Sequence, residues 1–297
     1  MAASLATANA TCHTRSISLP SRTHPLTAKL EDHLCRLRAS SEASSSSSVC
    51  RRLSNLTNLY GHVDDMLQLP QTQKSLSHER HENWVEEVID GSLRMLDVCS
   101  NSRDVFLQMK ESMQDLELSL RRKRSGDSGM VKEVSKYMTS RKKLNKVISK
   151  CYESVKSSTK KCVPVNSDKS NANALVSLLQ EVEDTSFSVF ESLLCHVSLS
   201  KTQSKTSGWS VVSKLLGTKS LSCEGEVEIN EVEKLDAMLL RLNSKNVNKG
   251  INSEQMKNVL KSLEASEMHI RELEEGLECA YRQLVKARVA LLNILSH

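Results

Sequence analysis

The C-terminal stretch MHIRELEEGLECAYRQLVKARVALLNILSH (residues 268–297) contains the apolar pattern that decides the fold. This stretch and the residues just before it carry an apolar residue at every seventh position and a second set three positions later. The first set is Met256, Leu263, Ile270, Leu277, Leu284 and Leu291, and the second is Val259, Leu273, Ala280, Ala287 and Ile294. This spacing predicts one long α-helix, beginning at Asn252 or Ser253, whose apolar stripe must be buried by another surface.

Two arrangements could bury this stripe: a coiled coil with a second copy, or packing against the rest of the same chain. In a dimeric coiled coil the positions beside the seam are charged. Here Leu260, Tyr281, Ala290 and Leu295 flank it, and a two-stranded coil would leave that surface in water. We therefore predict burial within the chain and a monomer, with self-association as the alternative.

The composition of the 297-residue chain favours helices over strands. Aromatic residues make up 3% of the chain, and it contains only four prolines and nine glycines. Strand-rich folds need turn glycines and favour aromatic and β-branched residues. The predicted fold class is therefore all-α: an elongated antiparallel helical bundle with long helices and a disordered N-terminal tail.

The sequence predicts a disordered leader at residues 1–23 and a single helical bundle domain at residues 24–297. Within the bundle, a Ser-rich joint and four loops are predicted at 40–48, 125–129, 163–172, 200–227 and 246–252. Apolar spacing predicts one long helix over residues 71–122, which could bend at Gly91. A basic helix is predicted from Met130 to Lys161.

Positive charge is concentrated between Arg121 and Lys161. This segment has 14 basic and three acidic residues, a net charge of +11, and because the whole chain is +5 the remainder is −6. The predicted docking face consists of Arg121, Arg122, Lys123, Arg124, Lys142, Lys143, Lys146 and Lys150. Arg141 is placed on the same solvent-facing side. A solvated face, an acidic protein partner, an anionic membrane surface and a nuclear import signal are all compatible with this charge.

Sequence-specific nucleic-acid binding is not expected from the basic segment. Base stacking requires exposed aromatic rings, and the aromatic residues of the segment are Tyr137 and Tyr152. Both lie on the predicted apolar side of the helix.

The leader contains RSISLP (15–20), in which Arg15, Ser18 and Pro20 have the R-S-x-S-x-P spacing. Phosphoserine-binding adaptors of the 14-3-3 type read this spacing in extended segments. A phosphate on Ser18 would present three acceptor oxygens to an arginine cluster. The alternative is a chance match in a Ser-rich leader.

No catalytic, cofactor-binding or metal-binding residues are predicted. The nine cysteines are odd in number and lack a C-x-x-C pair, which favours reduced thiols that pack as small apolar residues. HERHENW (78–84) is not an H-E-x-x-H motif, and a solvated helix surface is the better interpretation. There is no P-loop, dinucleotide fingerprint or G-x-S-x-G. We therefore expect a metal-free protein that is not an enzyme.

The segment GWSVVSKLLG (208–217) is amphipathic, and it could cap the bundle or enter a membrane interface through Trp209. No run approaches the roughly 18 to 20 apolar residues of a spanning helix. The leader has no acidic residue before Glu31, as in transit peptides and in disordered leaders alike. We expect an intracellular protein, cytoplasmic first, with the nucleus and the chloroplast as alternatives.

Several motifs follow the order found in a plant-specific family catalogued as domain of unknown function 241 and often labelled BYPASS-like. They include RSISLPSRTHP (15–25), LCRLRASSEASSSSSVCRRL (34–53), LRRKR (120–124) and LEEGLECAYRQLVKARVALLNILSH (273–297). The chain resembles this family over almost its whole length. The resemblance implies a helical plant protein tied to root and shoot development, without an established activity, cofactor or set of functional residues. We therefore expect a scaffold or adaptor, with a peripheral membrane protein as the alternative.

Overall fold

The computed structural model describes residues 24–39, 46–78, 83–122, 129–159, 171–199, 230–245 and 253–296. Within these ranges the chain forms eight α-helices and no strand, which confirms the predicted all-α fold. The helices are α1 (Pro25–Ala39), α2 (Ser46–Leu67), α3 (Pro70–His78), α4 (Asn83–Arg122), α5 (Gly129–Thr159), α6 (Asn171–Val197), α7 (Glu231–Lys245) and α8 (Ser253–Ser296). The leader at 1–23 lies outside the described residues.

The structure changes two of the predicted helix boundaries. The predicted helix over 71–122 is divided into α3 and α4, and residues 79–82 between them are outside the described ranges. Helix α3 begins at Pro70, because the first turn of a helix tolerates a residue without a backbone N–H. Helix α2 begins at Ser46, so residues 46–48 of the predicted Ser-rich joint are helical.

The predicted loops fall almost entirely outside the described residues. The structure describes only their edges, where Gly129 begins α5 and residues 171–172 belong to α6. The basic helix is found over Gly129–Thr159, close to its predicted bounds. Helix α4 continues without interruption through Gly91, where the sequence suggested a bend.

The two longest helices, α4 and α8, run antiparallel. Their cross-helix pairs appear in opposite order along the two sequences, since Arg288 contacts Ser92, Arg103 contacts Glu278 and Lys110 contacts Glu274. At about 1.5 Å per residue, both helices are roughly 60 to 66 Å long. This pairing confirms the predicted antiparallel bundle and gives it its long axis.

The C-terminal apolar stripe is buried within the chain, between α8 and the helices α4 and α2. From Val259 to Ile294 every member of the two heptad sets is at most 8% exposed, whereas Met256 is half-buried. Burying each large aliphatic side chain contributes about 1.5–3 kcal/mol, so this seam is a main source of stability. Outside the two heptad sets, the apolar residues Val289 and Leu292 of α8 remain exposed.

Helix α8 approaches α2 closely at Gly276. A Cβ at this position would lie 2.7 Å from Cδ2 of Leu53, a core side chain. Cys50 lies one turn before Leu53 and faces Glu272, so α2 and α8 run parallel. The absence of a side chain at Gly276 therefore sets the spacing that places Cys50 beside α8.

Candidate functional site

The C-terminal end of α6 is a junction where polar side chains from α5 and from the start of α7 converge. The last carbonyl groups of a helix have no intrahelical partner and need an outside donor. Nη2 of Arg141 donates to the carbonyl of Val197 at 2.6 Å, and Nδ2 of Asn230 donates to the carbonyl of His196 at 3.0 Å. Asn145 accepts from the N–H of Leu199 at 2.7 Å. These bonds fix the end of α6 against α5 and the start of α7.

Arg141 lies inside the bundle, which corrects its predicted place on the solvated basic face. Its side chain is only 2% exposed, and its Nε lies 3.0 Å from Oδ2 of Asp236, itself 5% exposed. Position 141 follows buried Tyr137 by four residues and precedes buried Leu144 by three, so all three share one helix face. The sequence pattern missed this because a cation is normally assigned to the exposed side.

We call Arg141, Asp236 and the Val197 carbonyl the arginine cluster. Burial raises the pKa of the Asp236 carboxyl, and the Arg141 guanidinium opposes that change. Nη1 of Arg141 also contacts the Met109 sulfur at 4.0 Å. The two opposite charges neutralise each other and the guanidinium finds acceptors on both sides. This cluster therefore holds α5, α6 and α7 together.

A second polar group, which we call the histidine cluster, consists of Cys50, His196, His269 and Glu272. The two imidazole rings meet through their Nε2 atoms at 2.8 Å, and both are buried. Nδ1 of His269 lies 3.9 Å from Oε2 of Glu272, and Sγ of Cys50 lies 4.0 Å from the same oxygen. One ligand atom from each of Cys50, His269 and Glu272 lies within 4.8 Å of the other two.

Both histidines of this cluster are held in their neutral form. Burial and the neighbouring His269 lower the pKa of His196 to about 4. Burial also lowers the pKa of His269, although Glu272 and Glu231 act in the opposite direction. In a neutral pair one Nε2–H donates to the other ring, so the tautomer of each histidine depends on its partner.

The described cysteines fit only in part the prediction that they pack as small apolar residues, because Cys50 and Cys151 pack partly buried against the core but three others are exposed. Cys99 fits it, since burial raises the pKa of its thiol to about 12 and its Sγ donates to the Leu277 carbonyl. Cys35, Cys195 and Cys279 are exposed instead. Cys50 is half-buried, and its pKa is raised by burial and then by the Glu272 carboxylate. All six described cysteines, Cys151 included, are free thiols.

The predicted docking face is partly described. Arg121 and Arg122 are exposed at the end of α4, and Lys142, Lys143, Lys146 and Lys150 are exposed on α5. We call these six side chains the basic surface. Arg121 is paired with Glu117 on its own helix at 2.6 Å. Lys123 and Arg124 lie outside the described residues, as do Arg15, Ser18 and Pro20 of the leader and Trp209.

A partly open space lies between α2, α4, α6 and α8, lined partly by Tyr60, Glu183 and Arg288. Its volume is about 40 Å³, far below the several hundred Å³ of a typical small-molecule site. A space of this size accommodates a water molecule rather than a substrate. Separately, no described helix combines the length and the apolar character that crossing a membrane requires.

These features define a class: an all-α bundle with buried polar junctions and one exposed basic helix face. The family model described as "Protein BPS1" matches residues 52–294, and the chain belongs to this plant family. The family resemblance read from the sequence motifs is thereby confirmed. The comparisons with curated proteins and with solved structures gave no match.

Proposed function

We propose that this chain is a non-enzymatic helical scaffold or adaptor in plant root and shoot development, which binds an acidic protein partner through the basic surface. The developmental role follows from what the family resemblance implies. The docking role is supported by the geometry of α5. The single observation that carries it is the one-sided charge on the exposed face of that helix.

The exposed charged residues of α5 are almost all lysines. They are Lys132, Lys136, Lys142, Lys143, Lys146, Lys150 and Lys156, against one exposed acid, Glu153. Helix α8 differs, because its exposed lysines and arginines alternate with Glu254, Glu264, Glu272 and Glu275. A surface of one sign attracts a partner of the opposite sign over roughly a Debye length, whereas a mixed surface does not.

A membrane surface is the alternative partner, and the packing of α5 argues against insertion. A helix that lies in a membrane interface needs a free apolar face. The apolar side of α5, including Val134, Leu144 and Ile148, is buried in the bundle. Contact of α5 with lipid would therefore be mainly electrostatic, although Val147 is 40% exposed. The Trp209 segment, which that alternative also uses, lies outside the described residues.

The proposal includes regulation through the leader. Phosphorylated Ser18, with Arg15 and Pro20, would recruit a phosphoserine-binding adaptor of the 14-3-3 type. The test is a Ser18→Ala chain in the same tissue, which should lose that partner and keep the partner of the basic surface. Retention of the adaptor by the Ser18→Ala chain would refute this part.

The docking role is tested with two matched double variants. Lys142→Glu with Lys146→Glu reverses two charges four residues apart on α5, and Lys257→Glu with Lys261→Glu does the same on exposed α8 positions. In proximity labelling of root tissue, the α5 variant should lose specific neighbours that the wild type and the α8 variant retain. The captured partner should bind the purified chain with an affinity that falls as salt rises.

Two outcomes would overturn this proposal. If proximity labelling detected the same neighbouring proteins for both double variants, the docking role of α5 would be refuted. Flotation of the wild type with phosphatidylserine vesicles but not phosphatidylcholine vesicles, lost in the α5 variant, would establish the membrane alternative in its place.

A further inference from the structure

The histidine cluster brings together three side chains whose chemistry suits a divalent transition metal. Cys50 comes from the first turns of α2, and His269 and Glu272 come from α8. His269 and Glu272 are three residues apart, so they project from the same side of the helix. Thiolate, imidazole and carboxylate are the three ligand types that Zn²⁺ takes in proteins.

We propose that Cys50, His269 and Glu272 bind one Zn²⁺ ion, with water as the fourth ligand, and that the ion ties α2 to α8. This site is independent of the proposed docking role. It reverses the expectation of a metal-free protein, because the sequence does not reveal that Cys50 and Glu272, 222 positions apart, meet in the fold.

The distances are close to those of a tetrahedral site. Zinc bonds of about 2.0–2.3 Å place neighbouring ligand atoms about 3.3–3.8 Å apart. The carboxylate oxygen of Glu272 lies 3.9 Å from Nδ1 of His269 and 4.0 Å from Sγ of Cys50. Closing the two pairs that involve Glu272 needs shifts of about half an ångström. Glu272 can supply these, because its side chain is 60% exposed and long. The ligand atoms of Cys50 and His269 lie within 4.8 Å of each other, so this pair closes by up to about one ångström through rotation of the Cys50 side chain.

The second histidine orients the first for metal binding. A ligating histidine commonly donates its other ring N–H to a neighbouring acceptor, which fixes the tautomer and frees the ligating nitrogen. His196 is neutral and lies 2.8 Å from Nε2 of His269, so it can accept that hydrogen bond. The Nδ1 lone pair of His269 then points to the side of Glu272. His196 is thus a positioning residue.

Charge balance favours a dication here. Two anionic ligands, the Cys50 thiolate and the Glu272 carboxylate, would neutralise Zn²⁺ completely. Without an ion, the Glu272 charge disfavours the thiolate of Cys50. A bound metal reverses this effect, since a coordinating thiol loses its proton. Half-buried Cys50 and exposed Glu272 leave one side accessible, which gives the ion an entry path and a place for water.

The test uses the purified full-length chain, freed of metal by a chelator and titrated with Co²⁺. We expect one Co²⁺ per chain, a thiolate-to-cobalt charge-transfer band with tetrahedral d–d bands, and displacement by Zn²⁺. Cys50→Ser should abolish the charge-transfer band, and Glu272→Gln should weaken binding at least tenfold. Cys279→Ser and Glu275→Gln, at exposed positions of α8, are the matched controls and should bind like the wild type.

His196→Leu, which removes the hydrogen-bond acceptor for His269, distinguishes positioning from a merely structural role. It should weaken Co²⁺ binding about 10- to 100-fold while keeping the charge-transfer band at saturation, since the ligands remain. Glu272 is exposed, so Glu272→Gln should keep the helical circular dichroism spectrum, and its binding defect can be read on a folded chain. No charge-transfer band in the wild type, or an unchanged band in Cys50→Ser, would overturn the proposal.

Discussion

The arginine cluster and the histidine cluster include adjacent residues of α6, Val197 and His196. They differ in how their buried polar groups are compensated. In the arginine cluster a cation faces an anion at 3.0 Å, and both are buried. In the histidine cluster two neutral rings pair with each other, and a thiol and a carboxylate lie beside them. A group with its charges already matched holds a structure together. A group of thiol, imidazole and carboxylate offers ligands that a metal ion can use.

Helix α7 and the residue before it contact both clusters. Its start carries Asn230, which donates to the His196 carbonyl, and its middle carries Asp236, the partner of Arg141. Ser266 of α8 donates to the carbonyl of Glu231 at 3.0 Å. Ser266 occupies the position of the second heptad set between Val259 and Leu273, and it is fully buried. Helix α7 therefore helps to fix the positions of residues in both clusters.

The largest effect is expected from breaking the arginine cluster. Arg141→Met leaves the Asp236 carboxylate buried without its cation, which should cost about 3–5 kcal/mol of unfolding free energy. Adding Asp236→Leu removes the unpaired buried anion and should recover most of the lost unfolding free energy. Urea unfolding of the single and double variants measures both values. If the single variant lost less than about 1 kcal/mol, the pair would not be the buried junction described here.

The histidine cluster should lose stability as the pH falls, because His196 is buried as a neutral ring. The pKa of His196 falls from 6.5 to about 4 on folding, so the unfolded chain takes up a proton first as the pH drops. Stability from this residue is therefore lost between about pH 6.5 and pH 4, by roughly 3 kcal/mol at most. His269, Glu272 and Glu231 lie nearby and are present in both proteins of the comparison.

The measurement for this prediction is the stability difference between the wild type and His196→Gln, followed by urea unfolding across that pH range in the presence of a chelator. The difference in unfolding free energy between the two proteins should narrow or change sign as the pH falls, because only the wild type has a proton-binding ring at position 196. Parallel curves for the two proteins would show that His196 is not buried as a neutral group.

A smaller effect is expected at the link between the clusters. Oδ1 of Asn230 accepts from the N–H of Glu233 at 2.8 Å, which caps the start of α7. Asn230→Ala removes this cap and the bond to α6, and should cost about 1–2 kcal/mol. Asn258→Ala, at an exposed position of α8, is the control and should change stability by less than about 0.5 kcal/mol. Equal thermal shifts for both variants would contradict the capping role.

The helices themselves were well predicted where periodic apolar residues marked them. The last helix begins at Ser253, one of the two predicted starts, and its heptad residues are buried. The division between α3 and α4 was missed, because the apolar pattern continues on both sides of residues 79–82. Flanking positions were less predictable: Ala290 is buried and Val289 is exposed, although both are apolar.

The candidate sites were predictable only in part. Lys142, Lys143, Lys146 and Lys150 are exposed as expected, because lysines on the polar side of a helix have no reason to be buried. Arg141 was misplaced, since its partner Asp236 is 95 positions away and invisible to local periodicity. The histidine cluster was not found, because no two of its helices are neighbours in the sequence.

The sequence by itself determined that this chain is helical, where its longest helix lies, and which stripe of that helix needs cover. Those properties depend on residues a few positions apart, and helix geometry relates such residues without further information. Only the tertiary structure decided that α2 and α4 supply the cover, that Arg141 turns inward, and that Cys50 meets His269. Such contacts depend on how whole helices pack, and the energy that selects the packing is spread over the entire core.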